Sequence, residues 1–598
     1  MTTPSTAPPE VGPWELSTTG SGPWRPATVP GHWYLDGVDG VDTVWYRTRV
    51  ELPGADPAGE ELEVRVGGSD YRTTVFWDQD EVGSHTGGFA PFAVAVRTGG
   101  GVHELMLRID CPVEPYGSVW PHSKTTLRGV MGHHDARPGG WTERGQERST
   151  GGPWGGVEVV RRPATAIEGL HLATPLRGGD ADLHLTVRLR MPAGAPEWAT
   201  VRATLTEDEG RGGVAQVLTT TTFVGPGPSE VRVSGPLPAP RLWWTWDQGE
   251  PHRYELAVEV VVDGEVRASS RRLVGVREVE VSEDWVWRLN GRPVFVRGIN
   301  YIGAQWLATL TPEQAVADVG LAVAANLNAL RVHAHVTVPA VYDACDAAGV
   351  LVWQDLPMQW GYADTAETYE VARAMVAELV DLHGWRPSVA FWCAHNEAPW
   401  NEPWMAEEAG GFVPDQNQRL DAELRDLFRR LDPSRPALAN SGAGDGHTYP
   451  GWYWGTWRVA SEIPGGAFVS EYGAQACPDL EVLREFLPDG STAEDWTFHG
   501  FQHHEHHRHV GVNLLTHSVE EVVAASQRYQ ARLLQFATEH YRRRKRERVQ
   551  GLMPFMLTDP WPCISWSVLD HRRSPKPGYH ALARAMQPVL PSIEAATD

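Results

Sequence analysis

The chain has 598 residues, of which 41% are hydrophobic and 21% charged, and its formal net charge is −24. That length exceeds one ordinary core and predicts about three or four domains. The acidic balance argues against nucleic acid, whose phosphates such a surface repels, and disfavours acidic polymers as substrates. Cys111, Cys345, Cys393, Cys477 and Cys563 are odd in number, far apart and without a CxxC pair. They read as buried reduced thiols, not as a disulfide framework or zinc ribbon.

The N-terminal MTTPSTAPPEVGPWELS has no basic start followed by an apolar core, and no run of about 20 apolar residues could span a bilayer. The expected location is therefore cytoplasmic. The 27 tryptophans are a weak hint of sugar binding, since large β-rich proteins also bury them. No feature sets the oligomeric state, and a homodimer is compatible with the sequence.

The first half alternates apolar and polar residues in short segments, such as Leu62–Val66 and Leu183–Leu189. Gly, Pro and Asp clusters punctuate them in the rhythm of β-sandwiches. A break at RRPATA, residues 161–166, separates two such regions, giving expected domains of 1–162 and 163–281. From 282 to 598 apolar runs alternate with helices, and repeated strand–helix units over that length fit a (β/α)8 TIM barrel. The expected strands are Val294–Ile299, Ala329–His333, Leu351–Leu356, Val389–Trp392, Ala437–Asn440, Phe468–Val469 and Met553–Met556. Helices are expected to open at Thr311-Pro312-Glu313, to run over 340–348 and 366–383, and to begin at Ser518, where Glu521 completes a capping box. Asp318 and Asp346 fall on helices and read as solvated face.

In such a barrel, reacting groups sit where strands end. Glu397 ends the run from Ser388, and Glu471 ends Ala467-Phe-Val-Ser-Glu. Counting strands puts them on the fourth and the seventh. Facing strands can hold two carboxyls about 5–5.5 Å apart, the separation of a retaining glycosidase. Asp355 and His333 close short strands on the same rim and read as contacts to substrate hydroxyls.

His395-Asn396-Glu397 resembles the Asn-Glu motif of clan A glycosidases, and Ser470-Glu471-Tyr472-Gly473 resembles their nucleophile strand. With Val29-Pro30-Gly31-His32-Trp33, Leu242-Trp243-Trp244-Thr245-Trp246-Asp247, Asn328-Ala329-Leu330-Arg331-Val332 and Asp559-Pro560-Trp561-Pro562, the chain resembles glycoside hydrolase family 2, on its β-mannosidase-like branch. The resemblance implies a jelly-roll sugar-binding-like domain, an immunoglobulin-like β-sandwich and the barrel. It implies a retaining exo-β-glycosidase by double displacement, with Glu397 as general acid/base and Glu471 as nucleophile. The expected substrate is a small carbohydrate, best a terminal β-mannoside; β-galactoside, β-glucuronide and β-glucosaminide are the alternatives. No cofactor or metal is implied.

Glu397 should need a raised pKa, supplied by an apolar, Trp-lined site, while Arg331 should keep Glu471 ionised. The resemblance assigns Asn396 to the sugar 2-OH, Tyr449 or Tyr453 to support of the nucleophile, and Trp566 to the floor beneath the sugar. Two departures touch specificity: Arg331-Val332-His333 stands where relatives have Arg-Val-Trp, and the stretch Gly132–Trp141 of the 132–156 loop is richer in His and Arg. The tract from His503 to His509 is expected to line the cleft or lie on the surface, since consecutive histidines diverge and do not converge on zinc. A reading of another class is a non-catalytic sugar-binding relative, which should have lost at least one of the two carboxylates or Asn396.

Overall fold

The computed structural model describes residues 9–52, 60–112, 123–132, 141–142, 145–146, 151–194, 197–207, 214–407, 412–461 and 466–593. Most of the 132–156 loop lies outside the described residues. The first region forms a short two-stranded sheet, Trp141–Thr142 with Gly145–Gln146, and two large sheets. One runs in the order Arg25–Ala27, Trp14–Ser17, Thr43–Leu52, Gly101–Asp110, Arg72–Trp77 and Asp80–Thr86; the other is Val157–Arg161, Glu60–Val66 and Phe92–Thr98. Thr43–Leu52 shows why these residues pair: every second side chain is buried, and Val44, Tyr46 and Val50 are fully so. The second region pairs Ala166–Ala173, Asp180–Met191 and Gly227–Leu237 in one sheet. Its facing sheet holds Val214–Val224, Glu197–Glu207, Tyr254–Val262 and Glu265–Val274. This region has its own core of aliphatic residues from both inner faces, Leu183, Leu185, Val201 and Val258 among them.

The C-terminal region is barrel-like. Its eight strands in chain order are Val296–Tyr301, Ala329–Val332, Leu351–Asp355, Val389–Cys393, Ala437–Leu438, Gly446–His447, Phe468–Glu471 and Gly551–Leu552. The first five pair in parallel in chain order, as do the sixth, seventh and eighth, and the eighth returns to the first. Among the described residues the fifth and sixth share no ladder. The expected last strand slips by two residues, and the two-residue sixth was too short to leave a hydrophobic pattern.

Helices start where their caps dictate. Thr311 and Gln314 close a capping box on Pro312–Ala324, and Ser518 and Glu521 close one on Val519–Arg543. Two expectations fail here. Asp318 is fully buried, accepting from Tyr301 Oη at 2.8 Å and Arg573 Nε at 3.0 Å. Asp346 is likewise buried, bound by Arg386 Nη1 at 2.9 Å and the Ser388 amide at 2.9 Å. Each faces the barrel core across a helix, and an arginine from a distant segment makes its burial tolerable.

A hairpin of Trp287–Leu289 and Arg292–Val294, preceded by Val279–Val281, plugs the barrel's N-terminal end. Trp285 lies 5.2 Å from Phe468 and Trp287 5.2 Å from Phe391, ring centre to ring centre, with Trp353 4.5 Å from Phe391. Several of the tryptophans are therefore packing, not sugar platforms. The N-terminal region reaches the opposite end: Lys124 Nζ donates to the Gln359 carbonyl, and the Val130 amide to the Ala334 carbonyl at 3.2 Å. No helix among the described residues is long and apolar enough to cross a membrane. Because Trp287 joins strands that carry Asp355, Glu397 and Glu471, Trp287→Ala is expected to destabilise the barrel by about 3–5 kcal/mol, read as a lower denaturation midpoint in urea.

Candidate active site

Strand ends bring the two sequence-predicted glutamates to one mouth. Glu471 is the last residue of the seventh strand, and Glu397 follows the fourth by four residues. At Glu397 the backbone enters the left-handed region, φ 50°, and its amide donates to the Ser441 carbonyl at 3.0 Å. Asn396 bridges to Gln359 on one side and Ser441 on the other. A non-glycine held in that conformation is strained, and the flanking bridges hold it there. One oxygen of each glutamate and one nitrogen of His447 all lie within 4.8 Å of one another.

Arg331, at the third position of the second strand, organises the floor. It is fully buried and donates from Nη1 to Glu471 Oε1 at 2.9 Å, from Nη2 to Asn396 Oδ1 at 2.6 Å, and from Nε to Asp355 Oδ2 at 3.0 Å. Asp355 is also fully buried, taking further bonds from the Ala334 amide at 3.0 Å and Trp353 Nε1 at 2.8 Å. Asp355, expected as a contact to substrate hydroxyls, and Arg331, expected as the cation beside Glu471, both lie beneath the cavity, where charge pairing and not exposure sets their place. Of the two tyrosines, Tyr449 donates to Glu471 Oε2 at 2.9 Å, while Tyr453 lies 44% exposed at the rim.

His447 is the residue the sequence reading missed. Its Nδ1 lies 2.7 Å from Glu397 Oε1, and its Nε2 lies 3.0 Å from Ser441 Oγ and 3.5 Å from Glu471 Oε1. Burial alone would lower its pKa, but the charges of Glu471 and Glu397 push it up to about 9. Below that pH an imidazolium stands between the two carboxylates. Burial works to raise Glu397, yet the hydrogen bond and charge of His447, with Trp360 Nε1 at 2.9 Å, outweigh it and hold the carboxyl below its usual value. Burial raises Glu471 to about 7, Glu397 adding to the rise while His447, Arg331 and Tyr449 oppose it. The expected directions are thus reversed, because a buried cation sits against Glu397 where only apolar walls were foreseen. The signal was present as His447-Thr-Tyr449: side chains two apart share one face of a strand.

Glu397, His447 and Glu471 are also spaced to offer a metal one ligand each. Both imidazole nitrogens are already engaged within the cluster, and protonated His447 supplies the positive charge between the acids.

The cavity above these groups has a volume of about 560 Å³, and Glu397, Glu471, Asn396, His333 and Trp566 are among its walls. Four wall atoms make no hydrogen bond to the described residues: Asn396 Nδ2, His333 Nδ1, Gln359 Oε1 and Trp566 Nε1. Arg331 holds the Asn396 oxygen, which leaves its amino group as the donor available to a ligand. His333 is kept neutral, its pKa driven well down by burial with Arg331 and His447. Trp360, Trp404, Trp454 and Glu402 are further walls, Trp360 bonded to Glu397. Burial, with the charge of Glu397, raises Glu402 to about 8. No Lys or Arg lines the cavity among the described residues.

Glycosyl hydrolases family 2 matches residues 165–277. The phosphotransferase enzyme family matches residues 292–448, which here form the first six strands of one parallel barrel completed by residues beyond the match, and so are no separate domain. Beta-mannosidase B of Aspergillus clavatus is 26% identical over 412 residues, 60% of this chain and 48% of that protein. The chain spans about half the length of the curated relatives it matches. A β-D-mannosidase structure from Dictyoglomus thermophilum superposes with a TM-score of 0.81 at 20% identity, covering 96% of this chain and 78% of that one. A Parabacteroides merdae β-glucuronidase does so at 0.72 and 17%, covering 97% and 75%. Two sandwiches leading into a barrel, both strand-end glutamates and these likenesses agree: the chain is similar to glycosyl hydrolases family 2, whose model it matches over residues 165–277, and to β-mannosidases in sequence and fold.

Proposed function

We propose that the protein is a retaining exo-β-glycoside hydrolase, with Glu471 as nucleophile and Glu397 as general acid/base. The observation that carries this reading is the pair of carboxylates at one cavity, their near oxygens within 4.8 Å, with Glu471 bonded by Arg331 and Tyr449 and Glu397 by His447 and Trp360. That spacing leaves no room for a water between sugar and nucleophile, as inversion would need. The sheets support reading 1–162 as a jelly roll, 163–281 as an immunoglobulin-like sandwich and 282–598 as a (β/α)8 barrel.

In the first step a Glu471 oxygen attacks the anomeric carbon, and the bond to the leaving oxygen breaks as Glu397 protonates that oxygen. His447 Nδ1–H, hydrogen-bonded to Glu397, holds the proton that Glu397 delivers. As negative charge leaves Glu471 for the new ester bond, the attraction that kept His447 protonated weakens, which favours the transfer. In the second step Glu397 takes a proton from water, which attacks the same carbon and frees Glu471. Asn396 Nδ2 binds the sugar 2-OH, a contact that strengthens as oxocarbenium character develops, and His333 and Gln359 take further hydroxyls.

A terminal β-mannoside is the favoured substrate, supported by the mannosidase relatives. A glucuronide would bring a carboxylate into a cavity that offers acids and no Lys or Arg among its described walls. A binding-only role is disfavoured because both carboxylates and Asn396 remain in place.

On a panel of aryl β-glycosides, Glu397→Gln should lower kcat by about 10²–10⁴ for poor leaving groups and less for good ones. Glu471→Gln should abolish turnover, and proton NMR should show the first-formed sugar with retained configuration; an inverted product excludes Glu471 as nucleophile.

The pH profile of kcat/KM should be a bell. Glu471 must lose its proton, giving an acidic limb near 7, and the cluster must keep the proton of His447, giving a basic limb near 9. Removing the cation in His447→Ala disfavours the charged form of Glu471, so the acidic limb should move to higher pH by about 1–3. An unmoved limb would show that His447 does not set the ionisation of the nucleophile.

A further inference from the structure

Beyond the catalytic cavity, a second one of about 480 Å³ opens between the segments that follow the seventh and eighth strands. The two share Tyr453, Gln502 and Trp566 as a common wall, with Tyr453 and Trp566 rings 6.3 Å apart. None of Glu397, Glu471, Asn396 or His447 lines the second cavity, so the catalytic step leaves it without a use. Its remaining walls include Phe501, Trp561, His503, His504 and Glu505.

The histidine tract is what shapes this space. His506 is buried, stacked on Phe501 with centroids 4.0 Å apart, and anchors the segment. His503 Nε2 meets the Ala493 carbonyl at 3.1 Å, and His504 Nδ1 meets Glu505 Oε1 at 2.9 Å. The histidines therefore diverge, and no three converge on a metal among the described residues. The other Glu505 oxygen is buried and makes no hydrogen bond to the described residues, His509 Nε2 standing 3.4 Å away. On the shared wall the Trp566 indole N–H is buried and also unbonded.

Aromatic faces beside an unbonded acceptor and an unbonded donor suit a pyranose. Its C–H faces pack on indole and phenyl rings, one hydroxyl donates to a carboxylate and another accepts from an N–H. We propose that the cavity bounded by Tyr453, Trp561, Trp566 and Glu505 is a second sugar subsite, which takes another pyranose unit of the same substrate across the Tyr453–Trp566 wall. The inference rests on the glycosidase reading for what occupies the first cavity. Substrates would then be oligosaccharides, recognised beyond the bond that is cut.

The test is titration calorimetry of methyl β-mannoside and β-linked mannobiose against Glu471→Gln, whose failure to turn over keeps the ligands intact. The same titrations are run after adding Thr497→Phe, which fills the cavity from its helical wall, or Glu505→Gln, which keeps its shape. Affinity should rise at least tenfold from the shorter to the longer sugar. Thr497→Phe should remove that gain and Glu505→Gln reduce it, with circular dichroism spectra like those of the parent. Equal affinities for the two lengths, or a gain that survives Thr497→Phe in a folded protein, overturn the subsite. Hydrolysis of aryl β-glycosides by the unaltered protein is read in parallel. A length-dependent gain without any hydrolysis would sink the glycosidase reading and leave the subsite standing, while hydrolysis without a gain would do the reverse.

Discussion

A guanidinium with no exposure to water fixes the geometry at the barrel mouth. Arg331 spends its donors on Asp355, Asn396 and Glu471, which come from the third strand, the turn after the fourth, and the seventh. A charge buried there is tolerable only if fully paired, and loss of one partner of such a group costs on the order of 3–5 kcal/mol. The pairing therefore ties strand registers together as firmly as it orients side chains. It leaves Glu471 and the amino group of Asn396 turned toward the cavity in fixed positions, the preorganisation that oxyanion and oxocarbenium chemistry rewards.

Above that floor, His447 joins the two acids. Its imidazolium offsets the repulsion of carboxylates closer than 5 Å, which otherwise could not both ionise. The three groups titrate as one cluster, so a proton held by His447 is available to Glu397 without Glu397 itself having to be a weak acid. This is a different solution from an acid isolated in an apolar pocket. It depends on the sixth strand, whose two residues, Gly446 and His447, do little for the sheet and place one side chain.

The remaining regions position this centre from both ends. A tryptophan-rich hairpin closes the bottom of the barrel, while residues 123–132 of the N-terminal region lie against the turns after the second and third strands. Arg128, paired with Asp70 at 2.7 Å and almost without exposure, anchors that segment to its own sandwich. The turn carrying Gln359 and Trp360 is thus held through Lys124 by a different region of the chain.

Local pattern in the sequence determined the sandwich strands, the capped helices and six of the eight barrel strands, and placed the last one directly beside its true position. Alternation, caps and apolar runs act over a few residues and need no partner. It also determined that Glu397 and Glu471 follow apolar strand segments, whose ends in a barrel lie at the mouth where the loops begin. Tertiary structure alone decided which charges are buried and what faces them. Asp318, Asp346 and Asp355 look like surface or rim residues until arginines from distant segments arrive. The ionisation of the two glutamates turned on His447, 50 residues from one and 24 from the other, and electrostatic energy follows distance through space and local dielectric, not separation along the chain.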